Sequence, residues 1–257
     1  MNLGFNTNEV LNETVAENST YPGREGYPVG ALFAYKTAGL DAEGYPLFVA
    51  KDGSIQTAAE FFQLNKFGAS TLTAEEQRNL YTYMGSEDPK CSGGFINNFE
   101  YKNWQLGINF MFNLGMKVRV QPSYSPTYFD RGLNTNHDIL NRWTSTNTNT
   151  DMPALMVKTT ERSAEYTHFS EYSTYSMLDT WVKNSSYCRL QSLRLGYKLP
   201  KEWLQKVGIT SASVSLEGRN LLVIASNYDN YLDPETMGNP YAQPIARSFI
   251  FGLNVNF

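Results

Sequence analysis

From Trp104 the even positions read Trp104, Leu106, Ile108, Phe110, Phe112, Leu114, Met116, Val118 and Val120. The odd positions between them read Gln105, Gly107, Asn109, Met111, Asn113, Gly115, Lys117 and Arg119. Successive side chains of a strand point to opposite faces, so this period-2 pattern gathers large apolar groups on one face and mostly polar or small groups on the other. The C-terminus repeats it: Phe249, Phe251, Leu253, Val255 and Phe257 alternate with Ser248, Ile250, Gly252, Asn254 and Asn256. Ala212, Val214, Leu216 and Gly218 alternate in the same way with Ser213, Ser215, Glu217 and Arg219. Strands of soluble domains usually run about 5–6 residues, and the run from Trp104 is roughly three times that.

The pattern predicts seven long strands, at residues 2–8, 28–37, 93–101, 104–120, 186–199, 211–224 and 245–257. The second carries Val29, Ala31, Phe33 and Tyr35 on one face; the third carries Phe95, Phe99 and Tyr101 and turns at Lys102-Asn103 into the fourth. The fifth breaks phase, because Leu190 belongs to one face and Leu193, Leu195 and Tyr197 to the other. A β-bulge near Gln191-Ser192 would restore a single apolar face; a misread register is the alternative.

Connections alternate in length. Those between strands three and four and between five and six are short, the latter with a helical turn at 201–206, whereas 38–92, 121–185 and 225–244 are long. Short turns on one side and long loops on the other is the outer-membrane arrangement, with the short turns periplasmic. If Phe257 ends at the periplasmic face, every long loop falls outside the cell. Within the loops, Thr73-Ala74-Glu75-Glu76 reads as a capping box and Gly85 as a stop, which predicts a helix over 74–84. A second short helix fits 137–143, and the Asn/Thr run 144–150 is the expected mobile segment.

Long strands with one apolar and one polar or glycine face suit a transmembrane β-barrel. The alternative is a large soluble β-sandwich, whose strands alternate too but run shorter. Composition sharpens the choice. Charged residues are 18% of the 257, below the roughly 25% of ordinary soluble chains, while aromatics reach 14%. A mean hydropathy of −0.42 fits strands that are half wet. A net charge of −4 gives no basic footprint for nucleic acid. The longest apolar-leaning stretch is interrupted by Gln105, Asn109 and Asn113, so a transmembrane helix of about 20 apolar residues is excluded. Met1-Asn2-Leu3-Gly4-Phe5-Asn6 has neither the basic nor the apolar region of a signal peptide. Cys91 and Cys188 are too few for a disulfide scaffold.

Several stretches, in this order and across almost the whole chain, resemble the C-terminal part of SusC/RagA-type TonB-dependent outer-membrane transporters of Bacteroidetes. They are Gly26-Tyr27-Pro28-Val29-Gly30 with Phe33-Ala34-Tyr35-Lys36, Ala38 to Pro46, Gly93 to Asn103, Asn141-Arg142-Trp143, Tyr187 to Leu190, and Leu195 to Pro200. Gly218-Arg219-Asn220-Leu221-Leu222, Asp233-Pro234-Glu235 and the Phe249-to-Phe257 terminus complete the set. The resemblance implies an all-β fold: an antiparallel transmembrane β-barrel segment, about seven strands of a plugged barrel of about 22, with long external loops carrying short helices. Residues 1–257 are then expected to be the C-terminal portion of a TonB-dependent receptor barrel, without its plug or signal peptide. Seven strands is below the roughly eight of the smallest such barrels, so the chain is expected to be a non-autonomous piece, with Met1 an internal methionine or a start artefact.

The resemblance implies no enzyme and no cofactor. The expected role is import of glycans or other nutrients across the outer membrane of a Gram-negative bacterium. The implied partners are a SusD-like lipoprotein, the TonB complex through a missing N-terminal part, the barrel-assembly machinery, outer-membrane lipid, and an oligosaccharide or peptide substrate; nucleic acid is not among them. It also reads Phe249, Phe251, Leu253, Val255 and Phe257 as the barrel-assembly signal, a role compatible with their being ordinary lipid-facing residues. Tyr124, Tyr128, Phe129, Trp143, Trp181, Tyr228, Tyr231 and Tyr241 stand among Asn, Asp and Ser in the long loops. Aromatic faces beside polar groups suit sugar rings and equally suit peptides, although girdle and loop packing use the same residues. Asp229, Asp233 and Glu235 could mimic a glycosidase carboxylate pair, but a Pro-containing loop predicts solvated or turn-forming groups. His137-Asp138 and His168 with Glu171 are too isolated for a metal site. The competing reading is a soluble β-rich carbohydrate-binding protein.

Overall fold

A computed structural model describes residues 1–128, 137–205, 208–225, 233–239 and 241–257. The chain forms two compact units: one of Met1–Thr7, Asp88–Lys117 and Asn184–Phe257, the other of Asn8–Glu87 and Val118–Lys183.

The first unit is built on a six-stranded antiparallel sheet: β1 (Asn2–Phe5), β2 (Cys91–Tyr101), β3 (Trp104–Leu114), β4 (Tyr187–Lys198), β5 (Ser211–Ala225) and β6 (Ser248–Asn256). Spatial order follows chain order, so each strand pairs with its neighbours in sequence. Five of the six contain 9 to 15 residues, the length about 9–11 residues that a tilted strand needs to cross a bilayer. The turn at Lys102-Asn103 joins β2 to β3, with Tyr101 opposite Trp104 and Lys102 at φ 53°. A helical turn, Lys201–Leu204, lies in the β4–β5 connection. The long connections all leave the opposite end of the sheet, where Cys91 pairs with Leu114 and Tyr187 with Ala225.

The bulge falls where the phase break predicts it. Leu190 pairs with Phe110 and Ser192 with Asn109, which leaves Gln191 as the extra residue. On the other side Leu190 pairs with Leu222 and Ser192 with Arg219, and Asn220 takes up the mismatch at φ 55°. Leu190 and Leu193 thereby share a face. Gln191 turns to the polar side, where its amide oxygen accepts from Asn109 Nδ2 at 3.1 Å.

Two predicted strands need correction. The fourth stops at Leu114 rather than continuing to Val120: Gly115 adopts φ +77°, which only glycine takes without strain, and Lys117–Arg119 forms a separate short strand. Residues 28–37 do not join the six-stranded sheet. Ala31–Ala34 pairs instead with Thr82–Ser86 in the second unit, and all four of its residues are buried. The predicted helix over 74–84 is correspondingly short. Its capping box forms through Thr73 and Glu76, but the helix spans Ala74–Arg78 before the chain extends into Thr82–Ser86. The second predicted helix is a 3₁₀ segment, His137–Asn141.

The second unit is organised by rings. Phe48, fully buried, stacks on Phe61 at 4.8 Å and meets Phe62 edge-on at 5.2 Å; Tyr35 stacks on Tyr81 at 4.1 Å. Phe48 and Phe61 sit on the short elements Pro46–Val49 and Ala58–Phe61, and the helix Ser163–Glu171 brings Phe169 against Phe48 at 6.4 Å. Arg162, at the start of that helix, binds Asp41 at 2.6 Å and Glu165 at 2.5 Å and lies 3.7 Å over the Tyr45 ring. Its two carboxylates hold the guanidinium above its usual range against the opposing cost of burial, which is the largest single influence.

Candidate functional site

Register assigns every residue of the six-stranded sheet to a side. On one face stand Leu106, Ile108, Phe110 and Phe112 of β3, opposite Leu195, Leu193, Leu190 and Cys188 of β4. Leu216 and Val214 of β5 continue the face and pair with Phe251 and Leu253 of β6. This face contains no Asp, Glu, Lys or Arg. The charged residues of these strands, Glu100, Arg189, Arg194, Lys198, Glu217 and Arg219, all lie on the other side with Gly107, Asn109, Gly196, Ser213 and Ser215. The apolar face is uncovered: Phe249 and Phe251 are each 72% exposed. An ordinary aqueous surface seldom leaves so much contiguous apolar area open.

The five terminal residues predicted to act together are on one strand, four of them on this face of β6 and Phe257 just past its end, 89% exposed. The sheet supplies their alternation and their free edge.

On the polar face the structure reveals an ion cluster that sequence reasoning misses. Arg189 Nη2 donates to Asp233 Oδ1 and Nε to Glu235 Oε1, each at 2.5 Å, with Arg189 and Asp233 both 2% exposed. Asp233 also accepts from the backbone N–H of Glu235 at 3.0 Å and of Ile245 at 3.3 Å. A guanidinium taken out of water requires such pairing. Asp233 is therefore buried and paired rather than solvated, and it fastens the β5–β6 loop onto the sheet. Both carboxylates are committed to one cation, so they do not form a glycosidase pair; Asp229 lies outside the described residues. The Asp233-Pro234-Glu235 motif was the visible signal, but nothing local points to a partner 44 residues away.

The loop aromatics divide. Tyr124 and Trp181 are buried, each packed near Tyr175, and Tyr124 donates its hydroxyl to the Pro153 carbonyl at 2.5 Å. Burial pushes the Tyr124 hydroxyl up to about 12. These two rings face the protein's own interior and offer no open face to a ligand. Trp143 lies against Gly44, where a Cβ would come within 2.7 Å of its ring. Tyr128 and Tyr241 are exposed. Tyr228, Tyr231 and Phe129 lie outside the described residues. His168 is buried, its Nδ1–H donating to the Gly68 carbonyl and its Nε2 accepting from the Thr174 hydroxyl, both at 2.9 Å. Among the described residues no group of His, Cys, Asp and Glu could hold a metal, and no helix is long and apolar enough to cross a membrane.

A sheet of this length, order and sidedness is a segment of an antiparallel transmembrane β-barrel. No family model matches the chain. It is 27% identical over 249 residues to TonB-dependent receptor P3 of Formosa agariphila, covering 91% of this chain and 23% of that protein. It is 29% identical over 188 residues to TonB-dependent receptor P26 of the same organism, covering 68% of this chain and 18% of the relative. Among solved structures it is similar to the RagAB peptide transporter, with 25% identity and a TM-score of 0.62 over 91% of this chain and 23% of that one. The RagAB peptide importer in its closed-closed state matches with a TM-score of 0.66 over 95% of this chain and 25% of that one, at 24% identity. The chain thus spans about a quarter or less of the length of these relatives, and the similarity to TonB-dependent receptors and to RagAB is confined to that span. The relatives are named as receptors and transporters, not enzymes.

Proposed function

We propose that the six-stranded sheet is part of the lipid-facing wall of an outer-membrane nutrient importer of the TonB-dependent type. The observation that carries this reading is the sidedness of the sheet: an uncovered apolar face without a single charge, backed by a face that holds all of them. In lipid an Arg or Lys at mid-depth on the outer face costs about 2–4 kcal/mol, so this partition is what a bilayer demands. In this reading residues 1–257 form the C-terminal portion of the barrel. The short turns are periplasmic, the long loops external, and the polar face lines the lumen.

The whole importer works with a SusD-like surface lipoprotein, draws energy from the TonB complex through another part of the protein, and carries glycans or peptides. Its barrel is closed by strands that pair with the free edges of β1 and β6, since unpaired edges are not tolerated in lipid. Phe249, Phe251, Leu253, Val255 and Phe257 form the strand that the assembly machinery reads. Of the loop aromatics, Tyr128, Trp143, Tyr228 and Tyr231 remain the proposed substrate contacts.

The test exploits alternation. With Cys91 and Cys188 changed to Ser, single cysteines at Phe110 and Asn109 are labelled with an environment-sensitive fluorophore after reconstitution into phosphatidylcholine vesicles. The expected result is a blue-shifted, lipid-quenchable label at position 110 and a water-like one at 109. Equal spectra at both positions would sink the membrane reading.

A further inference from the structure

The second unit contains a cleft of about 1060 Å³ that none of the roles above uses. Its walls carry rings, among them Tyr27, Tyr81 and Tyr83, and long polar side chains, among them Lys36, Lys51 and Arg78. Tyr27 is 38% exposed, and its ring is held by Phe33 edge-on at 5.0 Å and by Tyr83 at 4.9 Å. Such bracing fixes a ring in place before any ligand arrives, which reduces the ordering cost of binding.

The charges in the cleft are unequally committed. Its two carboxylates, Glu60 and Glu76, each close a capping box, accepting from the backbone N–H and hydroxyl of Thr57 or Thr73 at 2.8 to 2.9 Å. Both are held below the usual carboxylate range, chiefly by the backbone bond. The cations have no such acidic partner among the described residues. Arg78 donates to the backbone carbonyls of Glu17 and Ser19, and Lys51 to the amide oxygen of Asn79 at 3.3 Å. Lys36 is exposed. Gln56, Gln63 and Asn79 add further amide groups to the lining. The cleft therefore presents many donors and free positive charge beside a braced tyrosine pair.

We infer that this cleft binds an acidic oligosaccharide of three to four rings, with a ring against Tyr27 and its carboxylates toward Lys36, Lys51 and Arg78. Donor-rich walls call for a ligand rich in acceptors along its whole length, which hydroxylated, carboxylate-bearing sugar rings supply. The volume is at the upper end of small-ligand sites, which suits a short chain rather than one ring. This deepens the importer reading by naming a substrate class, and it rests on that reading only for its biological purpose.

The experiment uses the full chain in detergent micelles, with titrations of trigalacturonate, maltotriose and triglutamate followed by calorimetry. Trigalacturonate is expected to bind, at least tenfold more tightly than either of the other two, and to weaken as salt is raised. The double variant Lys36→Gln/Lys51→Gln changes only exposed side chains and is expected to lose at least tenfold in affinity with an unchanged circular dichroism spectrum. Tyr27→Ala is expected to weaken binding with its salt dependence retained. Absence of trigalacturonate binding, or equal binding of triglutamate, overturns the inference; equal binding of maltotriose overturns the role of charge. Failure of the vesicle experiment with normal trigalacturonate binding would remove the membrane reading and leave this site standing, and the reverse pair of results would do the opposite.

Discussion

The two units spend similar side chains in opposite ways. Phe48 in the second unit is fully buried by Phe61, Phe62 and Tyr35, whereas Phe251 on β6 is 72% exposed and is flanked by Leu216 across the strand pair. One phenylalanine is stabilised by the protein itself; the other is positioned to be stabilised by a different solvent. The contrast teaches that exposure of large rings marks an intended environment only when it is ordered, here by register, and when the opposite face carries the charge.

Four changes would break or sharpen that contrast. The largest expected effect is Phe48→Ala, which opens a cavity and costs about 3–5 kcal/mol, read by guanidinium titration of the buried Trp181 fluorescence. The matching Phe251→Ala should cost little in detergent, read in the same titration by the fluorescence of Trp104 on β3 of its own unit; an equal loss at both sites would contradict the division. Next comes Phe251→Arg, expected to cost about 2–4 kcal/mol in vesicles, measured as the shift of the denaturant midpoint from that of the unsubstituted chain. A smaller loss is expected for Gly44→Ala, about 1–3 kcal/mol from overpacking, because Gly44 has φ +81° and its added Cβ would press on Trp143 and Ala154. A changed Trp143 emission is the accompanying readout.

The smallest effect is a pH dependence confined to the second unit. Burial holds the pKa of His168 below the usual histidine range, against the raising influence of the Gly68 carbonyl. The unfolded chain then binds the proton more readily than the folded one. Stability from His168 is complete above the unfolded value of about 6.5 and is lost as pH falls below it, until the lowered folded value is reached. Melting of the Trp181 signal between pH 7.5 and 5.5 should show this fall, and His168→Gln should flatten it.

Much of the sheet was legible because its signal is local and redundant. Residues 104–114 keep one apolar face without a break, and the phase slip at Gln191 announced its bulge. The second unit was not legible in the same way. Residues 31–35 form a continuous apolar run, which fits a strand buried on both faces, and Ala31–Ala34 is covered on both sides; that it pairs with Thr82–Ser86 rather than joining the long sheet is decided only by tertiary packing. Apart from the nine-residue helix Ser163–Glu171, the described elements there are five residues or fewer, below the length at which periodicity separates strand from helix. Likewise Tyr124 and Trp181 carry the same local signature as Tyr128, and burial by Tyr175 distinguishes them only in three dimensions. Arg189 pairs with groups 44 and 46 residues away, and no spacing rule reaches that far.

Gln191 sets a parity on β4. Removing that one residue would exchange the faces of everything on one side of it relative to the rest: Arg189 would turn outward while Cys188 and Leu190 turned in. Two residues could be removed together, or one restored nearby, without that exchange. Such a strand is read in twos, as a coding sequence is read in threes. Insertions and deletions within it should therefore survive only in even numbers.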